Sequence, residues 1–437
     1  MKVLILNSNN KAGGASKACY RLHMSYIKAG IDSSLLIKDI PPPGITNAYN
    51  YWNFQTQKHK EETNSIPKKI LYKLLYETGL HKDARFDKEL KYQTQILDAR
   101  PPGLEVFTFA NSVNDITEHP LYAEADIIHL HFVAAHYVDY SFFKKATKPI
   151  VWTLHDMNPF TGGCHYAGDC EKYQTDCHHC PQLAGTINDD YSHIELQKKI
   201  DAYGKLNVKQ IAIASPSTWL MTTSKSSKAL SRFDHHLVPY GIDSSVYKLK
   251  NKAAAKHSLG LPTNKKVILF VAYLVDNIRK GYSLLTEAIK SVNKDEFAVC
   301  TVGAKTPGNT AFNNIEVHQL GYIEDEQLLS TVYNAADMFV IPSLADNLPN
   351  TVLESLMCGT PVIAFPVGGI PDMVQHRENG LLCKDFTASS LAESIMQFKN
   401  YEQSFNAEKI SKDACKKYEE KVQIEAYLKI YNSLLNG

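Results

Sequence analysis

Two carboxylates stand eight positions apart in the stretch 341–370, which reads IPSLADNLPNTVLESLMCGTPVIAFPVGGI. Asp346 falls in a loop after an apolar run, and Glu354 falls inside a predicted helix that starts near Asn350 and ends by Gly359. The start of a helix presents backbone N–H groups that favour anions. A loop acid, a helix start and a helical acid can together hold a polyol joined to a phosphate.

Histidines follow two other apolar runs. The predicted strand 125–131 ends in the letters HLH, and the predicted strand 149–154 is followed directly by His155. Because ligands of open α/β sheets gather at the carboxyl ends of strands, His155 is a candidate to donate a hydrogen bond or to move a proton. His131 is open between a ligand role and a structural one. His129 lies further from the strand end, and we expect it to be structural.

Two loops before predicted helices could meet an anion. Lys280 stands beside Gly281 in a strand-to-helix loop, where its charge can meet a phosphate, and the alternative is a solvated surface lysine. Gly13 and Gly14 separate the strand Val3–Leu6 from a helix, so backbone N–H groups are available to an anion or a sugar hydroxyl. A tight turn without a ligand is the alternative there.

Four of the nine cysteines fall within the segment 162–183. Their spacing is C-x5-C-x6-C-x2-C, and one such close pair with two more cysteines in a polar loop suits a tetrahedral structural Zn²⁺. The four residues are Cys164, Cys170, Cys177 and Cys180. Disulfides or free thiols are the alternatives. Because four thiolates would close the coordination sphere, we expect no catalytic metal here.

Apolar runs alternate with helical patterns over most of the chain, which is typical of parallel sheets with crossover helices. Two large α/β domains fit a chain of 437 residues. The segment 237–247 packs a proline, a glycine and an aspartate into five positions and is the predicted crossing from the first domain to the second.

Composition excludes several classes of function. A net charge of +1 gives no field that would favour nucleic acid, so we expect no nucleic-acid partner. The longest apolar run, Val267–Val275, is far shorter than the roughly 20 residues that cross a bilayer. The short run Val3–Leu6 is followed by polar residues and is not a secretory signal. We therefore expect a soluble protein, or one that lies on a membrane surface.

The stretch 67–82 is basic and amphipathic. A helix there would have one apolar face with lysines beside it, and these residues are Ile70, Leu71, Leu74 and Leu75, with Lys68, Lys69 and Lys73. The favoured interpretation is a helix that packs on its own domain. Docking to an anionic membrane surface is the alternative.

The chain resembles retaining glycosyltransferases of family 4 over nearly its whole length. The motifs that carry the resemblance are the Gly13-Gly14 loop, TLHD ending at His155-Asp156, the P-x-G-I-D turn at Pro239–Asp243, Arg279-Lys280-Gly281, and above all Asp346-x7-Glu354 followed by CGTPVIA. In particular, the combination resembles bacterial enzymes that build cell-surface polysaccharides.

The resemblance implies an α/β architecture of the GT-B type, with two Rossmann-like domains facing each other across a cleft. It implies an acceptor-binding domain at 1–240, with the cysteine-rich insert 162–183, and a nucleotide-sugar-binding domain at 241–418. A C-terminal helix at 419–437 is expected to cross back to the first domain.

The resemblance also implies roles for single residues. Glu354 would hold the ribose of a UDP- or GDP-sugar, and Asp346, in place of the usual glutamate, would face the donor sugar. Lys280 would neutralise the leaving diphosphate. Arg279 would stand in for the arginine that the family carries just after the preceding strand, where this chain has Tyr273.

Three further contacts are implied in the same way. His155 would contact the donor sugar, and Gly13 with Gly14 would leave room for phosphate and acceptor. Backbone N–H groups at the start of the helix would bind the diphosphate, and the residues concerned are Leu348, Pro349, Asn350 and Thr351.

The implied activity is the retaining, metal-independent transfer of a hexose from a nucleotide sugar to a saccharide or lipid-linked acceptor. The implied setting is cell-envelope glycan synthesis in the cytoplasm, or at the inner face of the membrane. Two alternatives remain open, namely a sugar-nucleotide hydrolase or epimerase of the same fold and a non-catalytic scaffold that contains zinc.

Overall fold

The computed structural model describes residues 1–8, 13–274, 278–304, 312 and 315–437. These residues form two compact units. The first comprises 1–215, 220–237 and 426–437, and the second comprises 216–219 and 238–425. The sequence-based division places 216–219 in the first domain and 419–425 in the closing helix, whereas the structure groups both segments with the second unit.

The first unit is built on a parallel sheet. Its strands are β1 (Lys2–Asn7), β2 (Asp32–Ile37), β3 (Ala48–Asn50), β4 (Ile127–Leu130), β5 (Ile150–Thr153), β6 (Ile211–Ser215) and β7 (Asp234–Leu237). Within the described residues the order is β3-β2-β1-β4-β5-β6-β7, and every pair is parallel. β4 and β5 are buried along their whole length, as strands covered on both faces must be.

Helices connect these strands. They are α1 (Gly14–Lys28), α2 (Tyr51–Glu62), α3 (Ile66–Glu77), α4 (Lys82–Asp98), α5 (Pro120–Glu124), α6 (Tyr140–Lys145), α7 (Tyr191–Tyr203) and α8 (Thr218–Ser226). Three of them, α2 to α4, occupy the polar segment in which the sequence shows no α/β rhythm.

The second unit has the same plan. Its strands are β8 (Lys266–Leu274), β9 (Phe297–Ala304), β10 (Glu316–Gln319), β11 (Met338–Ile341), β12 (Val362–Ala364) and β13 (Gly380–Leu382). Its helices are α9 (Lys252–Ser258), α10 (Tyr282–Ile289), α11 (Glu326–Ala335), α12 (Asn350–Met357), α13 (Ile370–Met373), α14 (Ala388–Tyr401) and α15 (Ala407–Tyr418). The described strands pair in the order β10-β9-β8-β11-β12-β13. A last helix, α16 (Glu420–Asn436), begins in this unit, and its residues from 426 onward belong to the first.

Strand order reverses at one point in each sheet. β1 lies between β2 and β4, and β8 lies between β9 and β11. The connections leave such a strand pair in opposite directions, which opens a crevice at the carboxyl ends where ligands of open α/β sheets bind. The loops after β1, β4, β8 and β11 are therefore the places to look for a site.

The apolar face of α3 is exposed. Ile66, Ile70, Leu71 and Leu74 keep 73%, 63%, 55% and 56% of their surface, and α3 has no buried residue. The expected helix is present and contacts its own unit, and Leu75 is half-buried, but the expected packing of Ile70, Leu71 and Leu74 is wrong. The helix is held instead through its tyrosines, since Tyr72 and Tyr76 donate hydrogen bonds to Asp83 and Asp87 of α4.

Across the described ranges, none of the helices combines the length and the apolar character that crossing a bilayer requires.

Candidate active site

Three of the predicted residues meet at the reversal point of the second sheet. Lys280 and Arg279 follow β8, and Asp346 follows β11, so adjacent strand ends bring them together. Lys280 Nζ donates to Asp346 Oδ2 over 2.6 Å. Arg279 Nη1 lies 3.6 Å from the same oxygen and donates to the carbonyl of Ala345 over 2.7 Å. Two cations and one carboxylate thus form one charged cluster.

The cluster keeps Asp346 ionised. Burial alone would raise the pKa of this carboxyl, but the charges of Lys280 and Arg279 outweigh the burial, and the pKa is lowered. Ser343 Oγ also donates to Asp346 Oδ2, over 3.3 Å. The carboxylate therefore orients Lys280 and offsets part of its charge.

Glycines let the backbone come close around Asp346. Gly281 has φ +67°, and a Cβ there would lie 1.8 Å from the carbonyl oxygen of Pro342. Gly368 has φ +53°, and its Cβ would lie 1.7 Å from the carbonyl oxygen of Asp346. Neither position can hold a larger residue without moving the loop. The role of Gly368 was not predicted, although the paired glycines in the letters VGGI could have indicated a tight turn.

Two further polar residues, Asn347 of this loop and Ser217 just before α8, form hydrogen bonds here. The backbone N–H of Asn347 donates to Oδ1 of the preceding residue, Asp346, over 3.2 Å. Ser217 Oγ donates to Asn347 Oδ1 over 2.6 Å. Ser217 is distant in sequence, so no local pattern could have indicated this contact.

Glu354 lies inside α12 and is 1% exposed. Tyr333 of α11 donates to Glu354 Oε2 over 2.9 Å. Burial raises the pKa of Tyr333 well above its usual value, and the Glu354 carboxylate raises it further, so the phenol remains a donor. The sequence gave no signal for Tyr333, because the two residues meet only when α11 packs beside α12.

The start of α12 lies directly after this loop. Pro349 stands at the N-cap in an extended conformation, and among the described residues no side chain caps the helix. Leu348 and Asn350 are buried, and Thr351 is half-buried. The prediction that Pro349 offers an N–H group is wrong, because proline has none. The backbone donors of this stretch belong to its other residues.

In the first unit, two histidines meet at the ends of β4 and β5. His131 Nδ1 and His155 Nε2 are 3.0 Å apart and share a hydrogen bond. Burial lowers the pKa of both rings, to about 4 for His155, so both are neutral near neutral pH. His131 Nε2 is buried and has no hydrogen-bond partner in the described part of the chain.

The histidine pair lines a cavity together with a set of polar residues. The polar members are Asp156, Asn158 and Lys199. Asp156 Oδ2 is 2.8 Å from His165 Nδ1, and its Oδ1 accepts from the backbone N–H of Asn158. The buried Lys199 donates to the carbonyl oxygen of Thr161 over 2.8 Å. These bonds fix the loop that carries His155.

His129 is structural, as expected. Its Nδ1 is hydrogen-bonded to Tyr431 Oη at 2.6 Å, and its Nε2 is hydrogen-bonded to Thr153 Oγ1 at 2.7 Å. Tyr427 bonds the same threonine over 2.6 Å, and Tyr26 bonds Tyr431 over 2.8 Å. The last turns of α16 are thereby joined to β4, β5 and α1 inside the first unit.

Gly13 and Gly14 lie at the start of α1. Gly13 is its N-cap, in an extended conformation, and its carbonyl accepts from Lys17 N over 3.0 Å. Residues 9–12 of the predicted loop, and the side chain of Tyr273, lie outside the described residues. Contact of the two glycines with a phosphate or an acceptor stays a prediction.

The four clustered cysteines form no disulfide with one another and line one small cavity of the first unit. Cys164, Cys177 and Cys180 are buried, and burial raises the pKa of the Cys164 and Cys177 thiols to about 12 and about 11. In the described ranges, the His, Cys, Asp and Glu side chains close enough to share an ion form two groups, and neither contains a cysteine. These groups are Asp176 with His178 and His193, and His179 with Asp189 and Asp190.

Residues 265–400 match the family model for glycosyl transferases group 1. This segment lies in the second unit and contains Arg279, Lys280, Asp346 and Glu354. The match therefore falls on the segment that carries most of the motifs.

Named relatives cover part of the chain. TuaC of Bacillus subtilis (strain 168), named for teichuronic acid biosynthesis, is 31% identical over 194 residues, which are 43% of this chain and 48% of that protein. D-inositol 3-phosphate glycosyltransferase of Mycolicibacterium smegmatis is 25% identical over 68% of this chain and 64% of its own length. WcaC of Escherichia coli (strain K12), named for colanic acid biosynthesis, is 26% identical over 50% and 52%. The chain thus spans between 48% and 64% of the length of these relatives.

Solved structures match over nearly the whole chain. Sucrose-phosphate synthase of Thermosynechococcus elongatus has a TM-score of 0.62 at 16% identity, over 100% of this chain and 99% of that one. HepE of Anabaena, in complex with UDP and glucose, has a TM-score of 0.60 at 16% identity, over 98% and 99%. The glycosyltransferase WaaG scores 0.59 at 14% identity, over 97% and 98%. The predicted GT-B fold class is thereby confirmed.

Proposed function

We propose that this protein is a retaining glycosyltransferase that moves a hexose from a UDP- or GDP-sugar to a saccharide or lipid-linked acceptor in cell-envelope polysaccharide synthesis. The observation that carries the proposal is the cluster of Lys280, Arg279 and Asp346 beside the start of α12, within a glycosyl transferases group 1 domain. The names of TuaC and WcaC support the polysaccharide setting, and the HepE complex supports a nucleotide-sugar donor.

The two cations act on the leaving group. Breaking the bond between sugar and phosphate builds negative charge on the diphosphate and positive character on the sugar. Lys280 and Arg279 stabilise that charge more in the transition state than in the ground state, and the start of α12 adds oriented N–H groups. Because these groups supply the charge neutralisation, we propose that the reaction needs no metal ion.

Glu354 binds the ribose of the donor in this proposal. A carboxylate accepts hydrogen bonds from two adjacent hydroxyls, and Tyr333 already fixes one of its oxygens. The phenol therefore holds the carboxylate in one orientation. Asp346 positions Lys280 and faces the donor sugar.

His155 contacts the donor sugar as a neutral imidazole. Its lowered pKa keeps the ring uncharged, so the ring does not repel the positive character of the reacting sugar. Retention is proposed from the motif resemblance, with the acceptor hydroxyl arriving on the face that the diphosphate leaves. Gly13 and Gly14 leave room beside it.

We also propose that Cys164, Cys170, Cys177 and Cys180 hold a structural zinc ion. Their position around one cavity supports this, and neutral thiols there would release protons on binding. Since neither group of side chains within ligand distance contains a cysteine in the described residues, the thiols would have to turn inward around the ion. The ion would hold the insert 162–183 and would take no part in the transfer.

The test is an assay of purified protein with a panel of UDP- and GDP-hexoses, each with and without saccharide and polyprenyl-phosphate-linked acceptors. We expect release of nucleoside diphosphate that depends on an acceptor, and a product whose anomeric configuration, read by NMR, matches that of the donor. Equal release without acceptor would indicate a hydrolase, and conversion of the donor without release would indicate an epimerase. Either result would contradict the proposal.

A further inference from the structure

An amphipathic helix with an uncovered apolar face lies in the first unit. The exposed residues of α3 recur at positions 66, 70 and 74, one helical turn apart, with position 71 beside them. Leu80, just after the helix, is also exposed, at 67%. Contiguous exposed apolar patches on soluble proteins mark sites of interaction with proteins, membranes or ligands.

Positive charge borders this face. Lys68, Lys69 and Lys73 are exposed, and Glu77 is the one acid in α3, so the helix carries three positive charges against one negative. Lys73 lies 3.7 Å from Glu77 on the helix surface, where an exposed pair adds little. An apolar face with lysines beside it matches the boundary between acyl chains and anionic headgroups.

The helix is also held in place. Tyr72 Oη donates to Asp83 over 3.1 Å, and Tyr76 Oη donates to Asp87 over 2.6 Å. The ring of Tyr72 packs edge-on against His59 of α2 and at a tilt against His81. The tyrosine contacts therefore fix α3 to its neighbours, while Ile66, Ile70, Leu71 and Leu74 stay exposed within the described part of the chain.

We propose that α3 docks the protein on an anionic lipid bilayer, with Ile66, Ile70, Leu71 and Leu74 in the headgroup region and the lysines on lipid phosphates. A second copy of the chain is disfavoured as the occupant, because two such faces would bring like charges together. This inference rests on the proposed function, because docking on a bilayer would bring the enzyme to a lipid-linked acceptor. Docking itself is measured without any sugar transfer.

The experiment is flotation of the full-length protein with vesicles of phosphatidylcholine alone, or of phosphatidylcholine with phosphatidylglycerol. We expect flotation with the anionic vesicles, at least about tenfold weaker binding to the neutral ones, and weakening by added salt. The variant Leu71→Ser/Leu74→Ser removes apolar area, and Lys68→Glu/Lys69→Glu/Lys73→Glu reverses charge. Each should lower binding to anionic vesicles at least about tenfold, since a lysine near such a surface contributes about fivefold.

Matched controls change the same residue types elsewhere. Leu328→Ser alters an exposed leucine of α11, and Lys412→Glu alters an exposed lysine of α15. Both should float like the unchanged protein. Equal binding to neutral and anionic vesicles, or unchanged binding of the α3 variants, would overturn the proposal. A dimer by light scattering that the α3 variants abolish would assign the face to a second copy instead.

Failure of the inference and failure of the proposed function give different results. If the α3 variants lose vesicle binding while turnover with a short soluble acceptor is unchanged, the docking surface is separate from the chemistry, as proposed. Vesicle binding without any transfer to any acceptor would contradict the proposed function and leave the docking surface in place. Transfer to vesicle-embedded and to soluble acceptors at equal rates, unaffected by the α3 variants, would overturn the docking role.

Discussion

Within the described residues, Lys280 donates one of its three N–H groups to Asp346, and two remain for an incoming phosphate. The carboxylate therefore need not be displaced when a diphosphate binds. Aspartate here is one methylene shorter than the family's usual glutamate, and its distance of 2.6 Å to the ammonium group shows that the shorter side chain suffices to hold Lys280.

Removing a charged side chain that is proposed to bind the donor should slow transfer. We expect Lys280→Ala and Glu354→Ala each to lower turnover at least about tenfold, the scale of one lost charge-assisted contact. Steady-state assays with the best donor of the panel measure this. Lys412→Ala, on an exposed face of α15, is the matched control and should be unchanged. Wild-type rates for both site variants would refute the assignment.

His131 should act by holding His155. In His131→Leu the shape is roughly kept but the 3.0 Å hydrogen bond is lost, and a buried His155 nitrogen loses its partner. We expect turnover to fall about tenfold. His131→Asn can still donate or accept at the Nδ1 position and should restore most of the rate. Equal losses in the two variants would indicate packing alone.

At the scale of elements, Gly368 allows the close backbone approach in the loop that carries Asp346. Gly368→Ala adds a methyl group that would meet the Asp346 carbonyl, whereas Gly260→Ala adds one in open space at a similar φ of +64°. Both variants bear the cost of a left-handed residue, about 1–2 kcal/mol. We expect Gly368→Ala to lose more stability by urea denaturation and to lose turnover, and Gly260→Ala to keep its turnover. Equal behaviour would mean that the close approach has no role.

The cysteine insert gives a second test at this scale. We expect one zinc ion per chain after purification without chelator, by elemental analysis, and its loss in Cys164→Ser/Cys177→Ser. Cobalt in its place should show a thiolate charge-transfer band. A cobalt spectrum without that band, lost instead in His193→Ala, would assign the ion to the group that contains Asp176 and His178. Full thiol reactivity with no bound metal would contradict both.

Elements with an apolar run were predictable, and polar ones were not. The strand predicted at 149–154 is observed as β5, Ile150–Thr153, because its apolar run is buried along its whole length. β7 was missed, since its sequence DHHL has no apolar alternation. Helix α3 was predicted from the amphipathic stretch 67–82, whereas α2 and α4 were missed because their sequences are rich in charged and amide side chains.

The positions of candidate residues were predictable where these residues follow strands. Lys280 meets Asp346 in the second unit, and His155 meets His131 in the first, because polar residues at the carboxyl ends of adjacent parallel strands come together. Tyr333 and Ser217 were not found, since their contacts with Glu354 and Asn347 depend on how helices and loops pack. Such contacts have no local spacing that a sequence could display.

At the scale of the molecule, buried histidines make stability depend on pH. Unfolded imidazoles have pKa values near 6.5, whereas the pKa of folded His155 is about 4. Between these values the unfolded chain binds more protons, so stability is complete above about pH 6.5 and falls as the pH drops. We expect His155 to account for about 2 kcal/mol between about pH 7 and about pH 5.

Urea denaturation at the two pH values measures this loss. In His155→Asn the position no longer titrates, so the variant should lose less stability on acidification than the unchanged protein. An identical pH dependence in both would show that other groups are responsible. His129 and His131 have lowered pKa values as well, so the remaining dependence should keep the same sign.

The tyrosine contacts of α16 set an order of events during synthesis. Tyr431 bonds Tyr26 across 405 positions of sequence, and Tyr427 bonds Thr153 across 274. Until the chain has been made through residue 431, His129 and Thr153 lack the hydroxyl groups that satisfy them, and leaving buried polar groups unpaired is costly. The first unit is therefore largely synthesised before the second, yet it completes its packing only after residues 426–437 have been made. Until then, its incompletely packed residues are available to chaperones.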